Sequence, residues 1–453
     1  MKRKIYSELL KWKHTAAGKT AILLDGARRV GKSYIAEEFA KAEYASYLIV
    51  DFAHVPDKVK RYFREYLTDL DTFFLMLEGV YGVKLVKGNS LIIFDEVQRF
   101  PKAREAIKYL VKDGRYHYLE TGSLISINRN VRNIVIPSEE RHLKMFPMDF
   151  EEFLWAMGRE TLMPIIERSF REQYPIGTEM NALIVDLFRQ YVVVGGMPQA
   201  VETFVSTHDL AAVDQVKRDI LALYRADIYK FAGKSKAKVL AVWDDIPAQL
   251  SQHEKKYTLA DVDERGRMRD FDATFEWLKN AMIVNVCYNS TDPNVGLKMN
   301  MERTTLKCYM ADTGLLVSHA FNENELAAKE VHKRILTDDI ELNEGMLIEN
   351  VVAQMLRAAG HHLYFHSESN REDKDSRMEI DFLIAKSRTE RKGNISPIEV
   401  KSGKRLSHSS LDKFMRKFSR YVNRPYILYW RDFKESEGII YLPLYMAPLL
   451  VRE

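Results

Sequence analysis

Ala21-Ile22-Leu23-Leu24-Asp25 leads into Gly26-Ala27-Arg28-Arg29-Val30-Gly31-Lys32-Ser33, and this stretch decides the fold of the first part of the chain. The apolar run is typical of a buried parallel strand. The stretch after it fits the pattern GxxxxGK[ST] at every fixed position, and apolar residues at helical spacing follow from Ile35. A strand, a glycine-rich loop and a helix N-terminus predict a phosphate-binding loop (P-loop), because backbone N–H groups and the helix dipole both favour an anion there.

The residues of this loop have predicted roles in holding a nucleoside triphosphate. Lys32 is expected to reach the β- and γ-phosphates, and the Ser33 hydroxyl is expected to bind Mg²⁺. The ligands that the loop predicts are ATP and Mg²⁺. The nucleotide-binding residues predicted from this stretch are Gly26, Arg28, Arg29, Val30, Gly31, Lys32, Ser33 and Tyr34.

Two further strands end in polar side chains that suit hydrolysis of a triphosphate. The apolar residues 91–94 are followed by Asp95, predicted to hold Mg²⁺, and by Glu96, predicted to orient or deprotonate the attacking water. Residues 116–119 lead into Thr121 and Ser123, either of which is a candidate sensor of the γ-phosphate. The simpler alternatives are a charged turn after the first strand and a glycine-containing turn after the second.

Composition limits the class of protein. The chain has 453 residues, and 68 Lys and Arg against 64 Asp and Glu leave a formal charge of +4, which argues against a histone-like basic protein. Nine basic residues and only two acids lie among the first 33 residues, so the basic excess is local. Two cysteines are too few for a disulfide framework, and no apolar run reaches the roughly 18–20 residues of a membrane span. We therefore expect a cytoplasmic protein of several domains without a membrane partner.

These motifs resemble those of a known group of ATPases. Residues 26–33, 91–98 and 121–123 look like the AAA-type P-loop ATPases of bacteria and archaea, in particular a group that carries a C-terminal uncharacterised domain. In that group a Gly-Arg pair precedes a Pro-x-x-Phe-x-Glu-Phe segment, and here Glu140-Arg141 precedes residues 147–153. The resemblance makes Arg141 a candidate to touch a phosphate of its own or a neighbouring subunit, with a surface arginine as the alternative.

The middle of the chain is predicted to be mainly helical. Apolar residues at helical offsets indicate a helical lid, interrupted by Gly195-Gly196-Met197-Pro198. Beyond it, the pattern predicts helices at 237–252 and 270–281 around a short one near 258–261, then strands at 282–287 and 306–310. Three helices and a two-stranded wing indicate a winged-helix-like module. The third helix carries more acidic than basic residues, which does not favour DNA binding. Binding of a partner protein is therefore the alternative function of this module.

The C-terminal third carries a second candidate site. Glu349 lies on a predicted amphipathic helix and Asp381 on a strand, and Glu399 and Lys401 share one face of the next strand because side chains alternate. Glu349, Asp381 and Glu399 are predicted to hold a divalent metal, with Lys401 beside the attacking water. The pattern resembles the PD-(D/E)xK nuclease core, which implies Asp381, Glu399 and Lys401 as catalytic residues. A nuclease-like fold without activity and a solvated strand are the alternatives.

Together, these patterns predict an α/β fold with four parts. They are a P-loop AAA-type ATPase core at 1–150, a helical lid at 151–234, a winged-helix-like module at 235–330 and a PD-(D/E)xK nuclease-like α/β domain at 331–453. The predicted function is Mg²⁺-dependent ATP binding and hydrolysis, with Glu96 as a catalytic residue, driving or gating the C-terminal modules in DNA processing. The alternative is a nucleotide-gated ATPase that docks a partner protein through an inactive nuclease-like domain. Besides ATP, the partners left open are DNA, a partner protein and further copies of the chain.

Overall fold

The computed structural model describes residues 1–122, 137–252, 255–259, 262–263, 266–294, 296–321, 334, 344–368, 377–385, 393–403 and 407–452. The chain divides into two compact units. The first comprises Met1–Phe146 with Asn280–Met282, and the second comprises Pro147–Lys279 with Ile283–Glu453. The first unit therefore ends at Phe146 rather than at residue 150, and the second spans the three parts predicted after it.

A parallel sheet of five strands forms the centre of the first unit. The strands are β1 (Ala21–Gly26), β2 (Ser46–Asp51), β3 (Ser90–Asp95), β4 (His117–Gly122) and β5 (Glu140–Met145). Their order across the sheet is β2-β3-β4-β1-β5, and every neighbouring pair is parallel. Because parallel strands all end at one edge, the residues after β1, β3 and β4 meet there, at the place where open α/β sheets bind ligands.

Helices and apolar side chains cover this sheet. The α-helices of the first unit span Ile5–Thr15, Lys32–Glu43, Asp57–Glu65, Leu70–Tyr81 and Pro101–Asp113. All six residues of β1 are buried, which explains why its sequence is a continuous apolar run rather than an alternating one. Phe63, Phe94 and Phe100 belong to a cluster of buried aromatic rings that fixes helix Asp57–Glu65 on the sheet.

The second unit begins with helices, as the sequence predicts for 151–234. Asp149 starts the first of them, because its carboxylate accepts from the Glu152 N–H at 2.9 Å while the Glu152 side chain accepts from the Asp149 N–H. The α-helices of this unit span Phe150–Ala156, Leu162–Glu172, Thr178–Val194, Pro198–Thr207, Leu210–Phe231, Lys236–Ser251, Asp272–Asn280, Thr313–Ala320, Glu344–Ala358 and Ser409–Lys417.

An eight-stranded mixed sheet completes the second unit. Its strands are β6 (Val284–Ser290), β7 (Met301–Met310), β8 (Tyr364–Glu368), β9 (Met378–Ala385), β10 (Ile395–Val400), β11 (Tyr426–Tyr429), β12 (Lys434–Ser436) and β13 (Ile439–Pro443). The order is β12-β13-β11-β10-β9-β8-β6-β7. Strands β9 and β10 are antiparallel neighbours, and β10 is parallel to β11.

The two strands predicted as a wing have a different role in the structure. They pair antiparallel, as predicted, but β6 also pairs parallel with β8, where Tyr288 lies opposite Tyr364. The pair is therefore the end of the eight-stranded sheet, and the division predicted at 330/331 falls inside one sheet. Every residue of β6 is buried, which a solvated wing does not require. The sequence pattern could not show this, because β8 lies more than seventy positions further along the chain.

The Gly195-Gly196 pair is explained by the close approach of other segments. A Cβ on Gly196 would lie 2.0 Å from the Met148 carbonyl oxygen. The buried Asp312 carboxylate accepts from the Gly196 N–H at 2.6 Å, and Gln354 donates to the Tyr191 hydroxyl at 2.9 Å. A buried polar network thus ties helix Thr178–Val194 to the segment before helix Thr313–Ala320 and to helix Glu344–Ala358. Among the helices in the ranges given above, none combines the length and apolarity that a bilayer crossing requires.

Candidate functional site

The P-loop connects β1 to the N-terminus of helix Lys32–Glu43. Gly31 precedes this helix with φ 94°, in the left-handed region that a glycine adopts without a Cβ clash. Arg29 also lies in that region, with φ 70°. Alternation of backbone conformation in such a loop turns successive N–H groups toward one concave side, which is how a loop of this kind binds phosphate. The loop and the helix N-terminus therefore have the backbone geometry that an anion site requires.

Gly26, at the end of β1, has no room for a side chain. A Cβ there would lie 2.4 Å from the Met145 carbonyl oxygen, at the end of the neighbouring strand β5. The first glycine of the motif is thus required by the close approach of two strands rather than by an unusual φ. This contact fixes the start of the loop against β5.

Lys32 lies inside the loop rather than in solvent. Its Nζ donates to the Gly26 and Ala27 carbonyl oxygens at 3.0 and 2.8 Å. Burial lowers the pKa of Lys32 to about 8, although the nearby carboxylates, Glu96 first among them, act in the opposite direction. The positive charge of Lys32 is thus only partly balanced by its surroundings. Such an ammonium is well suited to exchange its carbonyl partners for phosphate oxygens.

Three predicted residues meet at the carboxyl ends of β3 and β4. The Ser33 hydroxyl donates to Asp95 Oδ1 at 2.8 Å. The Thr121 hydroxyl donates to the same Asp95 oxygen and accepts from the Glu96 N–H at 3.4 Å. The Ser33 hydroxyl and the Asp95 carboxylate thus lie side by side, and both are the hard oxygen donors that Mg²⁺ prefers. Ser33, Asp95 and Thr121 therefore lie together at this edge of the sheet.

Glu96 has a backbone conformation that is uncommon for a residue with a side chain. Its φ is 53°, in the left-handed region, and such conformations persist mainly at functional sites. The Gln98 side chain donates to Glu96 Oε2 at 2.6 Å, and Arg99 Nε lies 4.0 Å from the same oxygen. The carboxylate of Glu96 is thus held at the edge of the sheet where the P-loop ends. Sequence reasoning did not identify Gln98.

The other residues predicted to contact nucleotide differ in their exposure and in their distance from the P-loop. Val30 is buried, whereas Arg28, Arg29 and Tyr34 are exposed beside the loop. Ser123 lies outside the described residues. Arg141 is exposed on the end strand β5, opposite Ile22. At roughly 3.3 Å per residue, it lies about 13 Å along the sheet from Gly26, so it does not join the P-loop of its own chain.

A buried polar network that sequence reasoning missed runs across β1, β4 and β5. Arg104 donates two hydrogen bonds to Glu140, at 2.9 and 2.6 Å, and His142 pairs with the same carboxylate at 2.7 Å. His142 also lies 3.5 Å from Asp25, the residue before the P-loop. Hydrogen bonds to Asp25 and Glu140 raise the pKa of His142 to about 9, and burial raises the pKa of Glu120 well above its ordinary value. The sequence does contain a sign of this network, because charged residues lie within the strands that form it.

In the second unit, Glu349 lies on a helix and Asp381 and Glu399 lie on strands, as predicted, whereas Lys401 lies just beyond the strand predicted to contain it. Asp381 is on β9 and Glu399 on the antiparallel neighbour β10, with Lys401 directly after that strand. Asp381 Oδ2 accepts from the Val400 N–H at 2.9 Å. Lys401 Nζ lies 2.6 Å from Glu399 Oε2. Asp381 and Glu399 are thus on adjacent strands, but each has a partner within the protein.

A lysine that the sequence analysis did not single out lies among the acids of this region. Lys307, on β7, is 1% exposed. Its Nζ lies 3.1 Å from Glu349 Oε1, 2.9 Å from Glu379 Oε1 and 3.6 Å from Asp381 Oδ1. Burial opposes the charge of Lys307, but these three carboxylates outweigh it and raise its pKa well above the ordinary value. An ammonium therefore occupies the centre of the carboxylate group, which we call the Lys307 cluster (Lys307, Glu349, Glu379 and Asp381).

Glu349 has further cationic and hydroxyl partners. Lys255 pairs with Glu349 Oε2, and the buried Tyr309 hydroxyl donates to Glu349 Oε1. Lys255 and the Lys307 cluster line a polar cavity of about 240 Å³ that also reaches Lys401 and Ser402. Among the residues that the structure describes, no group of three His, Cys, Asp or Glu side chains is placed to hold a metal ion. Glu349, Asp381 and Glu399, the predicted ligands, are instead paired with lysines and backbone donors.

Models of known families match three segments of the chain. Residues 18–154 match the AAA domain. This segment of the chain is thus similar to AAA domains. Residues 185–326 match a domain of unknown function, DUF8612, and residues 344–446 match another, DUF4143. The AAA match covers the P-loop, Asp95, Glu96 and Thr121, and so contains the site described above.

Comparison with whole proteins adds remote similarities. No curated protein matches the chain. Among solved structures, the RuvB Holliday junction branch migration motor of Thermotoga maritima is 13% identical, with a TM-score of 0.29, over 68% of this chain and 92% of that one. AMPPCP-bound DnaA from Aquifex aeolicus is 12% identical, with a TM-score of 0.27, over 62% and 77%. Drosophila ORC bound to DNA is 12% identical, with a TM-score of 0.28, over 67% and 91%. The whole-chain similarity is low in all three cases.

Proposed function

We propose that the chain binds and hydrolyses ATP in a Mg²⁺-dependent reaction at the edge of the first sheet. The observation that carries this proposal is the meeting of Ser33, Asp95 and Thr121 around one carboxylate oxygen beside the P-loop. A buried lysine with carbonyl partners, and a glutamate held next to the same strand end, supply the remaining groups of such a site. The donor set of Ser33 and Asp95 fits Mg²⁺.

Each side chain has a distinct task in this reaction. Lys32 leaves the Gly26 and Ala27 carbonyls to bind the phosphates, and loop N–H groups bind the oxygens that Lys32 does not reach. Glu96 orients the attacking water and accepts its proton, and the Thr121 hydroxyl responds to the γ-phosphate through Asp95 and the Glu96 N–H. Mg²⁺ bound at Ser33 and Asp95 would neutralise charge that develops on the phosphate oxygens. Arg141 is proposed to reach a phosphate only from a neighbouring subunit.

Two variants of the full chain test this function. Lys32→Ala is expected to abolish binding of a fluorescent ATP analogue, because the loop loses its buried cation. Glu96→Gln is expected to keep binding and to lower the hydrolysis rate by about 10²–10⁴-fold, the usual contribution of a general base. Hydrolysis at the wild-type rate in both variants would remove the proposal.

For the C-terminal cavity there are two competing proposals, metal-dependent DNA cleavage and docking of a partner protein. The position of Lys307 favours docking, because Glu349 and Asp381, two of the three predicted metal ligands, already neutralise a buried ammonium. Under this second proposal, nucleotide binding in the first unit gates a C-terminal domain that has a nuclease-like arrangement without metal catalysis. A role in DNA processing would then require that the chain binds DNA without cleaving it.

The two proposals for the cavity are separated by direct assay. Full-length protein is incubated with single-stranded, duplex and branched DNA in Mg²⁺ or Mn²⁺, with Asp381→Ala as the control. Docking predicts no metal-dependent cleavage, and it predicts partner capture that differs between ADP and a non-hydrolysable ATP analogue. DNA cleavage by the wild type that is lost in Asp381→Ala would favour the nuclease proposal over docking. Capture of the partner protein to the same extent with either nucleotide would contradict nucleotide gating.

A further inference from the structure

Arg3, near the start of the chain, is buried against the P-loop. Its side chain is not part of a solvated basic terminus, since the residue is only 7% exposed. The guanidinium donates from Nη1 to the Val30 carbonyl oxygen at 2.8 Å and from Nη2 to the Phe146 carbonyl oxygen at 2.7 Å. Both are charge-assisted hydrogen bonds of good length. One rigid, planar group therefore joins the P-loop to the residue that follows β5.

The bond to Val30 fixes the orientation of one particular peptide group. The described residues contain no cis peptide bond, so the Val30–Gly31 peptide is trans, and its C=O and N–H point in opposite directions. When Arg3 holds the Val30 carbonyl, the Gly31 N–H must point to the other side of the peptide plane. Because Gly31 lacks a Cβ, steric clash does not select this orientation of its N–H, and the bond from Arg3 to Val30 does.

The second bond supplies a fixed reference for the first. Phe146 follows directly on β5, whose six residues all pair with β1. The same strand end contacts Gly26, where Met145 leaves no room for a Cβ. The P-loop is thus held against the end of β5 at its first residue by packing, and near its fifth residue by the Arg3 guanidinium. Lys32, the first residue of the helix, donates to two carbonyl oxygens within the loop.

We propose that Arg3 is a positioning residue for nucleotide phosphates, which it serves by aiming the Gly31 N–H into the P-loop. This inference rests on the proposed ATP site and adds a residue to it that does not touch the ligand. A correctly aimed N–H is present before ATP arrives, so the loop pays no reorientation cost on binding. Because the N–H donates equally to ADP and ATP and is not consumed in hydrolysis, its effect is on binding rather than on turnover.

The test compares Arg3→Ala with wild-type full-length protein. Affinity for ADP and for ATP is measured with fluorescent analogues, and steady-state hydrolysis gives KM and kcat. Arg3→Ala is expected to weaken both nucleotides by about tenfold and to raise KM by a similar factor, with kcat within about twofold of wild type. About 20 mM guanidinium chloride, far below denaturing concentrations, is expected to restore affinity by entering the vacated space. A purely structural loss would lower the active fraction, and hence the apparent kcat, at unchanged KM.

Two control variants make the outcome decisive. Lys2→Met removes the same charge from an exposed neighbour and is expected to bind nucleotide like wild type. Arg3→Lys keeps the charge but cannot bridge two carbonyls with a planar fork, so an intermediate nucleotide affinity is expected. Arg3→Lys also serves as the test variant if Arg3→Ala does not fold. Wild-type affinity in both Arg3 variants, or an equal loss in Lys2→Met, overturns the inference. Failure of the wild type itself to bind ATP would instead contradict the proposed function.

Discussion

Replacing Lys307 by methionine removes a buried cation from three carboxylates while keeping most of the side-chain volume. Lys307 Nζ lies 3.1 Å from Glu349, 2.9 Å from Glu379 and 3.6 Å from Asp381. Removing one partner of a buried ion pair costs about 3–5 kcal/mol, because the other charge stays buried and uncompensated. The carboxylates of Glu379 and Asp381 are 29% and 22% exposed, so water relieves part of that cost. We therefore expect a loss of about 3 kcal/mol in the free energy of unfolding of the second unit.

The assay is urea unfolding of full-length protein followed by tryptophan fluorescence. Four of the five tryptophans (Trp155, Trp243, Trp277 and Trp430) lie in the second unit, so its transition dominates the signal. The matched control is Lys256→Met, the same chemical change at a lysine that is 24% exposed and 3.6 Å from Glu379. A partly solvated pair of this kind contributes about 0–1 kcal/mol, so the control should unfold close to wild type.

A second measurement links Lys307 to the question of metal binding. If Lys307 takes the place of a metal ion, Lys307→Met should gain stability in Mg²⁺ or Mn²⁺, whereas the wild type should not. A metal concentration ten times the dissociation constant gives about 1.4 kcal/mol. Unfolding of Lys307→Met at the wild-type urea concentration would refute the idea that the carboxylates depend on Lys307. Equal stabilisation of wild type and variant by metal would refute the idea that Lys307 excludes it.

Two further outcomes follow from the structure. Because the pKa of Lys32 is about 8 in the free protein and bound phosphates would raise it, ATP affinity should fall as pH rises through about 8, with proton uptake on binding. Calorimetry in two buffers of different ionisation enthalpy measures that uptake, and its absence at pH 8 would contradict a buried Lys32. Gly196→Ala should lower the free energy of unfolding by about 1–3 kcal/mol or more, because its Cβ would lie 2.0 Å from the Met148 carbonyl oxygen. Gly403→Ala, where a Cβ meets nothing within 4 Å, is the control, and equal effects in urea unfolding would rule out the clash as the cause.

A nucleotide site can be predicted from the sequence because the residues that suggest it lie close together along the chain. The P-loop needs glycines, a lysine and a hydroxyl at fixed spacing, and a strand that ends in Asp95 and Glu96 is visible as an apolar run followed by acids. The meeting of Ser33, Asp95 and Thr121 then follows from parallel strands that share one edge. Arg141 was less well predicted, because its position depends on the register of β5 against β1.

Other features depended on contacts between distant positions. Arg3 bonds Val30 and Phe146, 27 and 143 positions away, so a basic N-terminal run gave no sign of its burial. The two strands predicted as a wing belong to a larger sheet, because β6 also pairs with β8. Lys307 lies 42 positions from Glu349, and nothing in the alternation of β7 distinguished it from a solvated lysine.

By itself, the sequence determined the identity of the groups: a P-loop with its lysine and hydroxyl, two acids after a buried strand, and four residues of a nuclease-like pattern. Only the tertiary structure decided what neutralises those groups. Charges interact over a few ångströms of space regardless of chain separation, and burial strengthens each interaction by excluding water. In the first site a buried lysine thus has carbonyl partners, whereas in the second the carboxylates already hold Lys307.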